Sequence, residues 1–398
     1  MAISAKKEMF MNSPIRAQGY LGSAPWTLYE SGLLQIGAGF FENNDSRFVS
    51  PWKDDNHQIK IVESLEPFIL KGSCQGFFQN LYSVQSIDLS GWDVSQVQDF
   101  SFLFYNCYCL TELNLSNWKL DQAQNLCYLF ANCSRLQTLE IAPWNVSNVT
   151  NMSHLFSGCT TLQTLPIAQW DTSKVRSFEG LFANCQAIEL LPIGNWQTSS
   201  LEVIQGAFLG CSVLKELSIG HWDISKVEIL DQVFADCAAL STLDLEGWNT
   251  QKATSFMGLF QGCTQLQKVR VASWNTQQVK SMNRTFAKCS KLQSLDLSGW
   301  NTKSVVDMTE MFWDCLLLRQ LNLASFQKTS LRRFARMFQN CSALHQIVYP
   351  KDHLEEFIDL FHRLHYKTLE RRSLNQETEV LFETKSKEPQ YIRFTWHS

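Results

Sequence analysis

The chain has 398 residues, with 34 Lys and Arg against 38 Asp and Glu, and a formal net charge of −4. Hydrophobic residues make up 45% of it and charged residues 18%, which is enough apolar material for a large core and too much for a disordered chain. The near balance of charge argues against nucleic acid as a partner, since a nucleic-acid binder needs a strongly basic face. No stretch approaches the roughly 18 continuous apolar residues of a membrane span. These features predict a soluble protein.

The N-terminal region is predicted to contain a tail and a cap. Residues 1–23 are expected to form a flexible tail, and they have no apolar run of signal-peptide length, which favours a cytoplasmic location. Residues 24–73 are predicted to form a β-rich N-terminal cap, with strands near Trp26–Tyr29, Leu33–Ile36 and Ile59–Val62. Such a cap covers the strand edge that a repeat array otherwise exposes.

Residues 74–350 are built from a repeat of 26 residues, in which Trp, Cys and Phe recur without a slip. We call these the Trp, Cys and Phe columns. The Trp column is Trp92, Trp118, Trp144, Trp170, Trp196, Trp222, Trp248, Trp274 and Trp300, with Phe326 in the next slot. The Cys column is Cys107, Cys133, Cys159, Cys185, Cys211, Cys237, Cys263, Cys289, Cys315 and Cys341. The Phe column runs at the same period from Phe78 to Phe338. Three columns at one period predict stacked units that bury equivalent side chains.

Each unit is predicted to contain one short strand and one short helix. Apolar residues two apart, such as Leu113 and Leu115, fit a strand with one buried face. Val149, Met152 and Phe156 have the spacing of three and four that is typical of one or two helical turns. The predicted fold is therefore an α/β solenoid, a leucine-rich-repeat-like right-handed coil of short parallel strands and short helices.

The C-terminal segment, residues 351–398, is predicted to be an α+β cap. Asp352–Arg372 is amphipathic at helical spacing, and Glu379–Glu383 and Tyr391–Trp396 are expected to form a hairpin. Helix and hairpin together would seal the last coil.

The repeat resembles that of a known family. LDLSGWNTKSVVDMTEMFWDC (295–315) and WNVSNVTNMSHLFSGCTTLQTL (144–165) are similar to the units of BspA-like leucine-rich-repeat surface proteins. The resemblance covers roughly Cys74–Pro350, and APWTLYESGLLQIGAGFFEN (24–43) resembles the β-rich segment that often precedes these repeats. It implies a secreted or cell-surface bacterial protein that acts in adhesion.

Disulfides, metal binding and simple packing are the alternatives for the 13 cysteines. Neighbours in the Cys column lie about 5 Å apart, which permits a disulfide, but their side chains point the same way into the core. Because Leu81 takes the same slot in the first coil, we predict a column of buried free thiols. The absence of C-x-x-C argues against zinc. His362 and His365, three apart on the expected terminal helix, are the alternative metal pair.

Asp and Asn residues that follow the Trp column are predicted to form turns, with a row of Ca²⁺ ligands as the alternative. These residues are Asp93, Asn145, Asp171, Asp223, Asn249, Asn275 and Asn301. No phosphate-binding, dinucleotide-binding or nucleophile motif is present, so we predict no catalytic residues, no cofactor and no bound metal.

The candidate partner-binding face is the row of outward residues between the paired apolar residues of each strand, which we call the outward row. It varies while the core columns do not, as expected of a binding surface. The outward row is Asp88, Asn114, Glu140, Pro166, Pro192, Ser218, Asp244, Arg270, Asp296 and Asn322. Tyr105, Tyr108 and Tyr128 form either an aromatic contact patch or part of the cap packing.

The predicted function is non-enzymatic: a monomer that displays this face to a protein or cell-surface ligand. Two alternatives stay open. One is an intracellular scaffold, or an effector delivered without a signal peptide. The other is an enzyme with its activity in the C-terminal segment.

Overall fold

The structure is a computed structural model that divides into two compact units, Met1–Ser200 and Leu201–Ser398. We call them unit 1 and unit 2. The described residues are 10, 12–45, 48–64, 66–327, 330–349, 367–374, 377–383 and 389–395. Each unit is a β-solenoid, in which successive 26-residue coils stack through parallel backbone hydrogen bonds.

The described residues of unit 1 form nine strands and one short 3-10 turn. The elements are β1 Ile15–Leu21, β2 Ala24–Tyr29, β3 Leu33–Ile36, β4 Gly39–Asn43, the 3-10 turn Lys53–Asp55, β5 Ile61–Glu63, β6 Phe68–Ser73, β7 Ser86–Asp88, β8 Trp92–Asp99 and β9 Glu112–Asn114. One sheet has the order β1-β2-β3-β5-β7-β9, antiparallel from β1 to β3 and parallel beyond. A second, parallel sheet has the order β4-β6-β8.

The predicted cap strands lie where expected, but the tail prediction does not hold over β1. Residues 15–21 pair with β2 through a tight turn in which Gly22 has φ +62°. A Cβ on Gly22 would lie 2.2 Å from the carbonyl oxygen of Phe40, so the turn requires glycine. The antiparallel strands therefore extend the solenoid sheet beyond its first coil.

In the described part of unit 2 the chain forms eight strands. They are β10 Thr242–Asp244, β11 Lys268–Arg270, β12 Ser294–Asp296, β13 Gln320–Asn322, β14 Gln346–Val348, β15 Lys367–Leu374, β16 Glu377–Glu383 and β17 Pro389–Thr395. Strands β10 and β11 form one parallel pair, and the other sheet has the order β12-β13-β14-β17-β16-β15.

The α/β prediction is wrong, because the predicted helices are chains of turns. Between residues 12 and 349, outside 46–47, 65 and 328–329, the 3-10 turn is the only helical segment. In the coil around the Phe104 slot, the amides of Phe102 and Phe104 donate to Cys127 and Leu129 of the next coil, both at 2.9 Å. The intervening amide of Leu103 donates locally to the carbonyl of Phe100 at 3.3 Å. A helix keeps every amide bond within itself, whereas here alternate amides hold the next coil.

Left-handed residues are the reason that these segments do not become helices. Two slots per coil have positive φ, and each such residue interrupts a right-handed helix. The first left-handed slot holds Phe102, Tyr128, His154, Gly180, Gly206, Gln232, Gly258, Arg284, Glu310 and Arg336. The second left-handed slot, directly before the Cys column, holds Asn106, Asn132, Gly158, Asn184, Gly210, Asp236, Gly262, Lys288, Asp314 and Asn340, with Asn80 in the coil before. The spacing of three and four between apolar residues thus comes from consecutive turns.

The three columns of the repeat are buried, as predicted. Every Trp, Cys and Phe of the columns that is described is at most 4% exposed. Phe rings of successive coils stack in parallel, for example Phe234 on Phe260 at a centroid distance of 5.5 Å. The indole N–H groups of Trp118, Trp248 and Trp274 donate to backbone carbonyls 29 residues earlier, at 2.9–3.2 Å. In these coils, side chains as well as backbone groups bond to the preceding coil.

Prolines explain in part why the chain between β9 and β10 contains no strand. Eleven strand slots are expected from the repeat, yet residues 115–241 contain no strand of three residues. Pro166 and Pro192 occupy outward slots in this stretch and have no N–H to donate to a neighbouring strand. Parallel bridges at other slots, such as Asn125 to Asn151, continue the stacking here.

The predicted α+β cap is also wrong in the part that is described. Residues 367–372, expected at the end of a helix, belong to β15, while residues 351–366 lie outside the described chain. The hairpin is confirmed as β16 and β17, and β17 pairs in parallel with β14 of the last coil. Phe394 is fully buried opposite Ile347. Strand addition satisfies the free backbone groups of β14, which a covering helix does not.

Candidate functional site

The outward row lies on the solvent side of the strands in both units. Eight of its ten residues are exposed, and Asp88 and Asn322 are half-buried. In unit 1 the register extends the row into the cap, because Gln35 pairs with Glu63 and Glu63 pairs with Asp88. Sequence analysis missed this extension because the cap does not follow the 26-residue period.

Several acidic and amide residues of the outward row have a structural task. Asp88 Oδ1 accepts hydrogen bonds from the Ser90 amide at 3.0 Å and the Ser90 hydroxyl at 2.7 Å. Asn114, Asp244, Asp296 and Asn322 each accept a bond from the amide two residues further on. These side chains stabilise the turn that follows each strand. Their identity is therefore partly fixed by the fold, unlike that of Glu140, Pro166, Pro192 and Ser218.

Arg270 is the one cation of the outward row, and it contacts two carboxylates. Its guanidinium lies 2.9 Å from Asp244 and also contacts Glu246. All three side chains are between 39% and 58% exposed, so solvent screens the pairs. Arg270 thus offsets one of the two negative charges that it contacts.

The Asp and Asn residues after the Trp column form turns, as predicted. Asp93, Asp171 and Asp223 each accept a bond from the amide of the serine two residues on, at 2.9–3.0 Å. Backbone and hydroxyl donation from Ser95 lowers the pKa of the Asp93 carboxyl, and the hydroxyl and amide of Ser173 lower the pKa of Asp171. Among the described residues no group of three His, Cys, Asp or Glu has the arrangement of a metal site.

The Cys column consists of buried free thiols, as predicted. The Cys107 thiol donates to the carbonyl of Phe78 at 3.2 Å, and the same bond recurs down the column. Burial raises the pKa of Cys159 and of Cys341 to about 12. Cys109 and Cys127 stand outside the column and are half-buried, and burial raises the pKa of Cys127 to about 11.

We expect alkylating reagents to leave the Cys column unmodified in the native protein. Thiolates are the reactive form, and both burial and a raised pKa suppress them near neutral pH. Mass spectrometry should find native adducts confined to Cys109 and Cys127. Denatured protein without reductant should gain adducts on all 13 cysteines. A much lower number in denatured, unreduced protein would show paired thiols and contradict the free-thiol assignment.

Of the tyrosines in the first coils, Tyr128 belongs to an aromatic stack in the first left-handed slot. Phe102 stacks on Tyr128 at a centroid distance of 4.8 Å, and Tyr128 stacks on His154 at 4.5 Å. Tyr105 packs edge-on against Phe102 and Tyr128, while Tyr108 stacks on Tyr82 instead. Each ring of the stack packs its face against the ring of the next coil, so the stack connects successive coils. Burial lowers the pKa of His154.

In unit 2 the first left-handed slot holds charged residues in three successive coils, Arg284, Glu310 and Arg336. Glu310 is 1% exposed and contacts Arg284 of the preceding coil, at 2.5 Å, and Arg336 of the following coil. Asp307 pairs with Arg333 at 3.2 Å. The fold of the coil is the same as in unit 1, so this slot tolerates aromatic, glycine and ionic side chains.

The fold and its buried columns define a repeat-solenoid protein. Four overlapping stretches match one family model, described as "Mycoplasma protein of unknown function, DUF285", over residues 72–191, 124–245, 177–293 and 230–351. Together they span residues 72–351, more than half of the chain, so the protein belongs to the DUF285 family.

Other comparisons add little. No curated protein matches the chain. A chain from "Structure of the Toll - Spatzle complex, a molecular hub in Drosophila development and innate immunity" is similar at 12% identity and a TM-score of 0.23. That match covers 89% of this chain and 57% of the other, and it supports no inference about function. In the part of the chain that is described, no helix is long and apolar enough to span a membrane.

Proposed function

We propose that the protein is a non-enzymatic binding module that presents the outward row of each unit to a protein or cell-surface ligand. The observation that carries this proposal is the contrast between the columns and the row within one repeat. Trp, Cys and Phe recur at buried slots, whereas exposed slots at the same period change charge, size and shape. A fold that needs only its core leaves the exposed slots free to serve recognition.

The structure of the coils favours binding without much loss of entropy. Backbone and side-chain hydrogen bonds join successive coils, so exposed side chains project from a rigid frame. Preorganised surfaces lose little conformational entropy on binding. The resemblance of the repeat to BspA-like surface proteins points to adhesion at the cell surface as the setting for this binding.

The test changes residues of the outward row whose side chains do not stabilise a turn. We expect the variant Glu140→Gln/Pro166→Lys/Pro192→Lys to bind immobilised extracellular-matrix proteins or intact cells about tenfold more weakly than the wild type, as for residues central to an interface. Its thermal midpoint should be unchanged because all three positions are exposed. Surface plasmon resonance and cell-adhesion counts give the two readouts.

The matched control changes the charge equally at exposed positions of unit 1 outside the outward row. Gln96→Lys/Gln122→Lys/Gln124→Lys alters three exposed glutamines and should leave binding unchanged. Equal loss in both variants would mean that general charge decides binding. Adhesion unaffected by the row variant would overturn the proposal, and would favour an intracellular scaffold or an activity in residues 351–398.

A further inference from the structure

One corner of the coil departs from the repeat in unit 2. The two residues after each Cys of the column form this corner, and in most coils they are polar or smaller than leucine. They are Ser212–Val213, Ala238–Ala239, Thr264–Gln265, Ser290–Lys291 and Ser342–Ala343. In the coil of Cys315 the corner holds Leu316 and Leu317 instead, and these residues are 45% and 43% exposed. We call this pair the leucine corner. Since the other coils fold without leucine here, the fold does not require it.

The backbone holds the leucine corner outward. Cys315 and Leu318, on either side of it, are fully buried. The amide of Leu317 donates to the carbonyl of Ser290 in the preceding coil, at 3.2 Å. Neither leucine can enter the core without breaking this stacking, so the pair is a fixed apolar projection.

Two exposed basic residues flank the leucine corner in the coil register. Lys291 occupies the same corner one coil earlier, Arg319 follows two residues after Leu317, and both are exposed. Residues 280–336 contain ten Lys and Arg against four Asp and Glu, which gives them a charge of +6. The remainder of the chain carries −10, since the total is −4. Asp307 and Glu310 are paired with Arg333, Arg284 and Arg336, which leaves the excess of basic residues to the other cations of the segment. Asp314, another of the four acidic residues, lies two residues before Leu316.

We propose that the leucine corner docks the protein on a bilayer that contains anionic phospholipids. Leu316 and Leu317 would enter the interface, and Lys291 and Arg319 would contact the headgroup phosphates and carboxylates. Stable peripheral binding takes two signals, an apolar anchor and a basic patch, and the two occur together here.

Other classes of partner explain either the basic residues or the exposed leucines, but not both. A polyanion such as nucleic acid accounts for the cations but gives no reason for two exposed leucines. Moreover, the Trp313 ring in this segment is covered by the Lys288 ammonium at 5.0 Å, which leaves it unsuited to stacking on bases. A stable protein interface buries roughly 1,200 Å² or more, far beyond what two leucines offer.

Vesicle co-sedimentation of the full chain tests the proposal. We expect binding to vesicles of phosphatidylcholine with phosphatidylserine, and weak binding to pure phosphatidylcholine. The variant Leu316→Ser/Leu317→Ser should reduce the partition coefficient at least about tenfold, given the loss of two buried apolar side chains. Lys291→Ala and Arg319→Ala should each reduce it about fivefold. Serine occurs at this corner in Ser290 and Ser342, so the fold should persist, as an unchanged thermal midpoint would show.

The matched control is Ala238→Ser/Ala239→Ser at the same corner of another coil, which should bind vesicles like the wild type. Three results would overturn the proposal. One is equal binding to neutral and anionic vesicles. Another is anionic-vesicle binding that the leucine variant leaves unchanged. The third is no vesicle binding alongside tight binding of a DNA oligonucleotide or heparin, which would identify the basic segment as a polyanion site.

Discussion

Replacement of Trp274 by alanine is expected to destabilise unit 2 by about 3–5 kcal/mol, as for other buried Trp-to-Ala changes. Trp274 is 1% exposed and stacks between Trp248 and Trp300, at centroid distances of 6.0 Å to each. Its indole N–H also donates to the carbonyl of Leu245 at 2.9 Å. The substitution removes contacts to the coils on both sides and leaves a cavity between them. Denaturant unfolding followed by circular dichroism measures the loss.

Trp274→Phe is the control that keeps an aromatic ring in the slot. Phe326 naturally fills the equivalent slot and is 3% exposed, so phenylalanine is compatible with the coil. We expect this variant to lose clearly less stability than the alanine variant. A loss below about 1 kcal/mol for Trp274→Ala would place the Trp column outside the tight core.

The second large effect concerns the buried carboxylate of Glu310. The double variant Arg284→Ala/Arg336→Ala leaves this carboxylate, 1% exposed, without either arginine. An unpaired buried charge typically costs about 3–5 kcal/mol, and we expect that loss. Each single variant should cost much less because one arginine remains. The effects should therefore be strongly non-additive in a double-mutant cycle.

Arg270→Ala is the matched control, since Arg270 also contacts two carboxylates. Those carboxylates, on Asp244 and Glu246, are 58% and 39% exposed and keep their hydration when the arginine is lost. We expect a change of at most about 1 kcal/mol. Additive small losses for Arg284→Ala and Arg336→Ala would mean that Glu310 does not depend on the two arginines.

Sequence alone predicts the stacking of the coils and the buried columns, because side-chain chemistry repeats without a slip. The Trp, Cys and Phe columns are buried as expected, and the thiols are free. The terminal hairpin is also found. These predictions depend only on which side chains are buried. A strictly repeated sequence indicates burial even where the backbone conformation is predicted wrongly.

The helices were predicted wrongly because apolar spacing does not identify backbone hydrogen-bond partners. Val149, Met152 and Phe156 have helical spacing, yet consecutive turns produce the same burial. One signal against a helix is present in the sequence. Asn or Gly precedes most residues of the Cys column, as in Asn106 and Gly158, and both residue types favour the left-handed conformation found there.

The candidate surfaces were only partly predictable. The exposed positions of the outward row follow from strand alternation, but the turn-forming bonds of residues such as Asp88 and Asp296 depend on the backbone after the strand. The net charge of −4 conceals the basic segment around the leucine corner, because the acidic remainder of the chain offsets it. The net charge of a whole chain does not show where along the chain its basic residues are concentrated.

The central claim is that alternate amides of the turn segments bond to the next coil and not within a helix. NMR detection of scalar couplings across hydrogen bonds tests it directly on the labelled protein. The amide of Phe104 should couple to the carbonyl of Leu129, and in unit 2 the amide of Phe234 should couple to that of Leu259, matching distances of 2.9 and 3.0 Å. Couplings instead to the carbonyls of Phe100 and Leu230, four residues earlier, would show helices and contradict the β-solenoid.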